Sequence, residues 1–223
     1  MAALLSVHGP IDGIATLTLD RADKRNALSV DLRDQLVDAL AALALDEGVR
    51  CVVLTGAGPV FCAGFDLDEF QVDDPAFQER LWASSDRYHR AVLEFPLPIL
   101  AAVNGPAIAG GFDLAVMCDL RVAASTARFS HPELAFGDVV YGPLHDLVGG
   151  AVARDLCLTG RRIDAAEALR LRVVDAVCEP EDLPGLAGER AAMVAQAPRE
   201  VLLRMKAKIA RRAGVVPGRT LDL

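Results

Sequence analysis

Residues 98–111 read PILAAVNGPAIAGG, from Pro98 to Gly111, and run directly into Phe112 and Asp113. Pro96 and Pro98 bar a helix from continuing into this stretch, so the unbroken apolar run Ile99–Val103 reads as a buried strand. Asn104-Gly105-Pro106 turns the chain, and Gly110-Gly111 opens a short apolar helix that reaches Met117. The same order occurs earlier. Arg50–Thr55 (RCVVLT) is a buried-type strand closed by Gly56-Ala57-Gly58-Pro59, and Phe61-Cys62-Ala63-Gly64-Phe65-Asp66-Leu67 leads into a helical stretch through about Glu94. Upstream, Gly13–Asp20 alternates apolar and polar residues as a strand does, and Ser29 is a candidate N-cap for a helix carrying Leu32, Leu36, Leu40 and Leu43. Downstream, Leu120–Ala124 and Val173–Cys178 read as strands, and 144–158, 165–171 and 198–212 as helices. Strands and helices alternate, which predicts a parallel α/β core with right-handed crossovers.

A chain of 223 residues suits one domain, or one with a small appendage. Its net charge of -8 argues against a nucleic-acid partner, which would need a basic face. Six basic side chains among residues 199–212 (Arg199, Arg204, Lys206, Lys208, Arg211, Arg212) read as a solvated helix face. Cys51, Cys62, Cys118, Cys157 and Cys178 are odd in number, lack any CxxC spacing and read as reduced core residues. The first residues lack the basic and apolar regions of a signal peptide, and no stretch has the length of a membrane span, so a cytoplasmic protein is expected.

Among site chemistries, Gly56-Ala57-Gly58 fails as a dinucleotide fingerprint because Phe61 stands where the third glycine belongs. There is no Walker loop, GxSxG elbow or HExxH, and His131 and Glu133 lack metal-ligand spacing, so no metal is expected. The two glycine turns remain. Each puts small residues where a strand ends and a helix begins, so unpaired N–H groups and the helix dipole converge there; two side by side could form an oxyanion hole. Gly-Gly at a helix start is also a common structural device. The third feature is Phe129-Ser130-His131-Pro132-Glu133-Leu134-Ala135-Phe136-Gly137, in which a glutamate between a proline and an apolar run is placed for desolvation towards acid/base work. Taken alone, such an acid is equally at home as a cap or on the surface.

Five segments in order resemble the crotonase (enoyl-CoA hydratase/isomerase) superfamily: Arg21-Ala22-Asp23-Lys24-Arg25-Asn26-Ala27-Leu28-Ser29, FCAGFDL, PILAAVNGPAIAGG, HPELAFG and the LTGRRIDAAEA run from Leu158 to Ala168. The resemblance implies a right-handed spiral of ββα repeats, an acyl-coenzyme A thioester as substrate, and no cofactor beyond the coenzyme A that the substrate carries. It makes Glu133 the principal acid/base, with Asp113 where two-glutamate hydratases carry their earlier acid. The main-chain N–H groups of Phe65 and Gly110 would form the oxyanion hole. Lys24, Arg25, Asn26, Ala27, Leu28, Ala63, Asp66 and Leu67 would meet coenzyme A, and Gly111, Asp138 and Tyr141 the acyl group. A homo-oligomer, trimer or hexamer, is implied, with neither nucleic acid nor membrane as partner.

Two departures from the pattern stand out. Asp138–His145 (DVVYGPLH) replaces the usual glycine-rich run, with Asp138, Tyr141 and His145 as new polar residues or as a rebuilt loop. The further C-terminal helices of such proteins give way to a tail over 214–223, which divides the chain into a spiral core, 1–190, and a shortened helical segment, 191–223. Enoyl-CoA hydratase is the leading reading. A single competent carboxylate would suffice for a Δ3,Δ2-enoyl-CoA isomerase. The same resemblance also accommodates a decarboxylase, a hydrolase or a non-catalytic acyl-CoA-binding homologue.

Overall fold

The computed structural model of the chain describes residues 3–135, 137–213 and 223; the tail over 214–222 and the motif residue Phe136 lie outside them. Strand β1 (Leu5–Ile11) pairs antiparallel with β2 (Ile14–Leu19), and from β2 onwards the sheet is parallel. The helix α1 (Val30–Leu45) leads to β3 (Cys51–Gly56), and α2 (Pro75–Leu93) to β4 (Ile99–Val103). A short β5 (Ala107–Ile108) and α3 (Gly110–Met117) lead to β6 (Leu120–Ala124). After β7 (Arg128–Ser130) come α4 (Gly142–Val148), α5 (Gly150–Thr159), β8 (Ile163–Asp164), α6 (Ala165–Arg170) and β9 (Ala176–Cys178), then α7 (Leu183–Ala195) and α8 (Arg199–Ala213). The six-stranded sheet runs β1-β2-β3-β4-β6-β9 and a three-stranded one runs β5-β7-β8. Each turn of the spiral thus gives one strand to each sheet, as β4–β5 and β6–β7 do, before a helix returns the chain.

Strands β3, β4 and β6 of the large sheet are buried on both faces, which is why they read as continuous apolar runs. Val52 and Leu54 of β3 point into the main core with Leu32, Leu36, Phe61 and Phe112. Cys51 and Val53 point the other way, with Leu100, Ala102 and Val122, onto Leu183, Ala187 and Ala191 of α7. Helix α7 is absent from the sequence reading and runs through residue 190. Its buried stripe is made almost wholly of alanine, interrupted by Gly185 and Gly188, so its apolar periodicity is faint.

Three further differences have local causes. The helix expected directly after Gly64 starts only at Pro75, where Asp74 accepts the Ala76 N–H at 3.0 Å and the proline occupies the first turn. The helix expected over 144–158 is two, because Gly149 takes φ 76° and turns the chain between them. The basic run in α8 is not wholly solvated. Lys206 is buried and holds Asp119 at 2.6 Å, and Arg199 donates to the carbonyls of Ala44 and Val49. Cys51, Cys62, Cys118 and Cys157 are buried free thiols, and Cys178 is half-buried.

Candidate active site

Four extended segments lie side by side at one end of the large sheet. The Leu28 N–H donates to Gly64 O at 2.8 Å, Ile108 N–H to Cys62 O at 3.0 Å, and Ala109 N–H to Ser130 O at 2.9 Å. Each bond ties one turn of the spiral to the next. The loop bearing Phe65 is thereby laid against the loop bearing Gly110. A carbon added at Gly64, where φ is 91°, would stand 3.1 Å from the Gly110 nitrogen, so the two glycine turns touch. Gly110 is the first residue of α3, and its N–H has no intrahelical acceptor. No acceptor for the N–H of either Phe65 or Gly110 is found among the described residues.

Beside them the fold gathers three titratable groups. Asp113 lies in the first turn of α3; Glu133 lies in a short 3-10 turn, Pro132–Ala135; His131 precedes that turn. His131 Nδ1 is 3.0 Å from Glu133 Oε1 and 3.7 Å from Asp113 Oδ1. His131 is fully buried, Asp113 nearly so, and Glu133 Oε2 is a buried oxygen without a hydrogen-bond partner among the described residues. Burial, reinforced by the Glu133 charge, pushes the Asp113 carboxyl up to about 7 against the opposing pull of His131. For His131, burial works against the charged ring, but the Glu133 hydrogen bond and the two acidic charges carry it above its ordinary value. The carboxyl of Asp113 therefore holds a proton into the neutral range, with the carboxyl group of Glu133 within 4.8 Å. The same three residues lie close enough together for a metal ion among the described residues, but His131 Nδ1 and Glu133 Oε1 are already bonded to each other.

The coenzyme A residues expected from the sequence fall into two sets. Lys24, Arg25 and Leu67 are exposed, with Lys24 paired to Asp68 at 3.1 Å. Asn26 and Leu28 are fully buried, and Ala27 is buried except for a small fraction. The Asn26 amide donates to Val60 O at 2.7 Å and Ala57 O at 2.9 Å, and its oxygen accepts the Arg21 N–H at 3.0 Å. Its side chain is thus consumed in joining the 21–27 and 57–61 loops, leaving any ligand contact to the backbone. Asp66 is held by Arg21 at 2.7 Å, which fixes the loop between half-buried Ala63 and Leu67. Gly111 is buried under the Cys62 carbonyl. Asp138 is exposed, and Tyr141 is half-buried, its ring 5.4 Å from that of His145. Among the described residues no hydrogen bond, ion pair or ring contact joins Asp138 or Tyr141 to the Asp113–His131–Glu133 cluster.

Two residues escape the sequence reading. His131 is visible there only as a poor metal ligand, because the partner that gives it meaning, Asp113, comes from another turn of the spiral. Arg33 sits beside the leucine stripe of α1 and is buried, with its guanidinium carbon 4.6 Å from the Phe65 ring centre. Glu69, 3.9 Å from that guanidinium, also accepts the Val30 N–H at 2.9 Å and so caps α1 against the Phe65 loop.

Comparison with known proteins identifies the family. The sequence profile described as enoyl-CoA hydratase/isomerase matches residues 11–218. The chain is 35% identical over 200 residues to a short-chain-enoyl-CoA hydratase of Clostridium acetobutylicum, covering 87% of this chain and 77% of that protein. It is 35% identical over 197 residues to a 4-chlorobenzoyl coenzyme A dehalogenase of an Arthrobacter species, covering 84% and 71%. The crystal structure of an enoyl-CoA hydratase from Bacillus anthracis superposes with a TM-score of 0.89 at 30% identity, over 96% of this chain and 84% of that one. That of an enoyl-CoA hydratase from Mycobacterium smegmatis superposes with 0.87 at 33% identity, over 96% and 85%. On its ordered motifs, its spiral of paired strands and these matches, the chain belongs to the enoyl-CoA hydratase/isomerase family, the crotonase superfamily.

Proposed function

We propose that the protein hydrates 2-enoyl-CoA thioesters, with Glu133 as the principal acid/base and Asp113 as its partner. The observation that carries this reading is a pair of carboxyl groups within 4.8 Å of each other, one of them (Asp113) pushed up by burial, beside two unengaged amides. Adding water across a double bond needs a base and an acid at once. Glu133 takes a proton from water as its oxygen attacks the β-carbon, and the thioester oxygen gains the displaced electron pair between the N–H groups of Phe65 and Gly110. The Asp113 carboxyl then returns a proton to the α-carbon as the enolate collapses, so one water is consumed and the site regains its proton from Glu133. Backbone groups of 26–28 and the exposed Lys24 and Arg25 face coenzyme A, which the substrate itself brings; no separate cofactor is required. Gly111, Asp138 and Tyr141 bound the acyl side in this reading, the enzyme works in the cytoplasm, and it assembles as a homo-oligomer, a trimer or hexamer. Among the described residues no helix is long and apolar enough to cross a membrane.

The second reading, Δ3,Δ2-enoyl-CoA isomerase, draws support from Asp113 itself, whose carboxyl is one methylene shorter than a glutamate and is held near His131. A panel of short 2-enoyl- and 3-enoyl-CoA thioesters separates the two. Loss of the conjugated double bond from the 2-enoyl esters with formation of 3-hydroxyacyl-CoA is the expected result. Migration in the 3-enoyl esters without hydration selects the isomerase, and inertness towards both sets rejects the proposal.

A further inference from the structure

We infer that His131 is a positioning residue that divides labour between the two carboxyl groups, holding Glu133 as the base and leaving the proton on Asp113. The inference rests on the hydration reading and adds the group that makes the two acids unequal. His131 Nδ1 is within hydrogen-bond range of Glu133 Oε1 at 3.0 Å but not of Asp113 Oδ1 at 3.7 Å, so the N–H is given to Glu133. That bond occupies Oε1 and leaves Oε2, buried and unpartnered among the described residues, as the free acceptor. The ring cannot swing away. It is fully buried, with Phe112 stacked on it at 4.7 Å and 28°, and Phe129 packed on Phe112 at 5.3 Å.

Charge leads to the same assignment. Three titratable groups in a dry site cost least when they sum to zero. A His131 ring of raised basicity beside Glu133, with the proton kept on Asp113, moves the cluster towards that sum. The other titratable groups that feel the acids are neutral: the Cys157 thiol of α5, pushed up to about 11, the Cys62 thiol, pushed up to about 12, and the Tyr88 phenol of α2, raised well above its ordinary value. The only basic group among those that shift Asp113 is His131.

Two substitutions test this. His131→Phe keeps a ring but removes both the N–H and the charge. His131→Asn puts an amide N–H near the Nδ1 position without a charge. For the phenylalanine variant, kcat on a 2-enoyl-CoA is expected to fall about 100-fold with little change in KM. The acid limb of its kcat–pH profile should move up, because the base loses the hydrogen-bond donor beside it. The asparagine variant, its amide N–H uncharged, should regain most of kcat while its acid limb stays displaced, a split that a merely structural role would not produce. Should the phenylalanine variant fail to fold, the limb of the asparagine variant decides. An acid limb at the wild-type position in the variants overturns the inference. So does an NMR titration in which the His131 imidazole is unmoved by Glu133→Gln. A wild type that turns over no 2-enoyl-CoA instead sinks the hydration reading, whatever the imidazole does.

Discussion

Glu133→Gln is expected to lower turnover of a 2-enoyl-CoA by about 10²–10⁴-fold, the range a positioned general base contributes, while leaving acyl-CoA affinity within a few-fold of wild type. The glutamine amide is nearly isosteric and its oxygen can still accept from His131, so packing is preserved and only basicity is lost. Binding should survive because the oxyanion donors are main-chain amides of Phe65 and Gly110, which the substitution does not touch. The Asp113 titration should also fall below about 7, since the Glu133 charge raises it, although burial, the larger cause, remains. Turnover and binding are separated by steady-state kinetics beside calorimetric titration with a saturated acyl-CoA. A variant that keeps a tenth or more of wild-type kcat would move the acid/base role to Asp113.

The second large effect is on stability. Gly111→Ala adds a single methyl in a helix, a change that in an open helix gains about 1 kcal/mol from propensity alone. Here the added carbon would lie 2.2 Å from Cys62 O and 2.7 Å from Cys62 C. Both atoms are backbone, and the same carbonyl accepts the Ile108 N–H. Neither can yield without separating the two turns, so the steric term reverses the sign. We expect destabilisation of about 4 kcal/mol, seen as a fall in Tm of about 8–16 °C for a chain of this size. Gly188→Ala in α7 is the control. Nothing lies within 4 Å of its added carbon, so thermal unfolding by circular dichroism should show that variant unchanged or slightly more stable. Equal falls in both variants would mean that the contact between the turns does not matter.

What the sequence makes legible follows from where each signal resides. Strands β3, β4 and β6 are readable because burial on both faces writes itself as unbroken apolar runs. Helix α1 is readable because its leucines carry the helical period. Strand β1 is not, since six of its seven residues are exposed on a sheet edge and Gly9-Pro10 interrupts it. Helix α7 hides because alanine suffices to pack against β3 and β6, and alanine is a weak periodic marker. In the site, Glu133 and the glycine turns are marked by local motifs that match residue by residue. The charge pattern that gives them different roles is not local. Neither His131 between two acids nor Arg33 under Phe65 can be seen until separate turns of the spiral are stacked.

The buried thiols turn the protein into a recorder of its own opening. Burial pushes Cys51, Cys62 and Cys118 up to about 12, so at neutral pH almost no thiolate exists in the folded chain to attack a reagent. A small neutral alkylating agent should modify half-buried Cys178 first. The others should react only as fast as their surroundings unfold. Because Cys51 faces α7, Cys62 lies in the Phe65 loop and Cys118 closes α3, their separate labelling rates would time the loosening of three regions within one unaltered molecule.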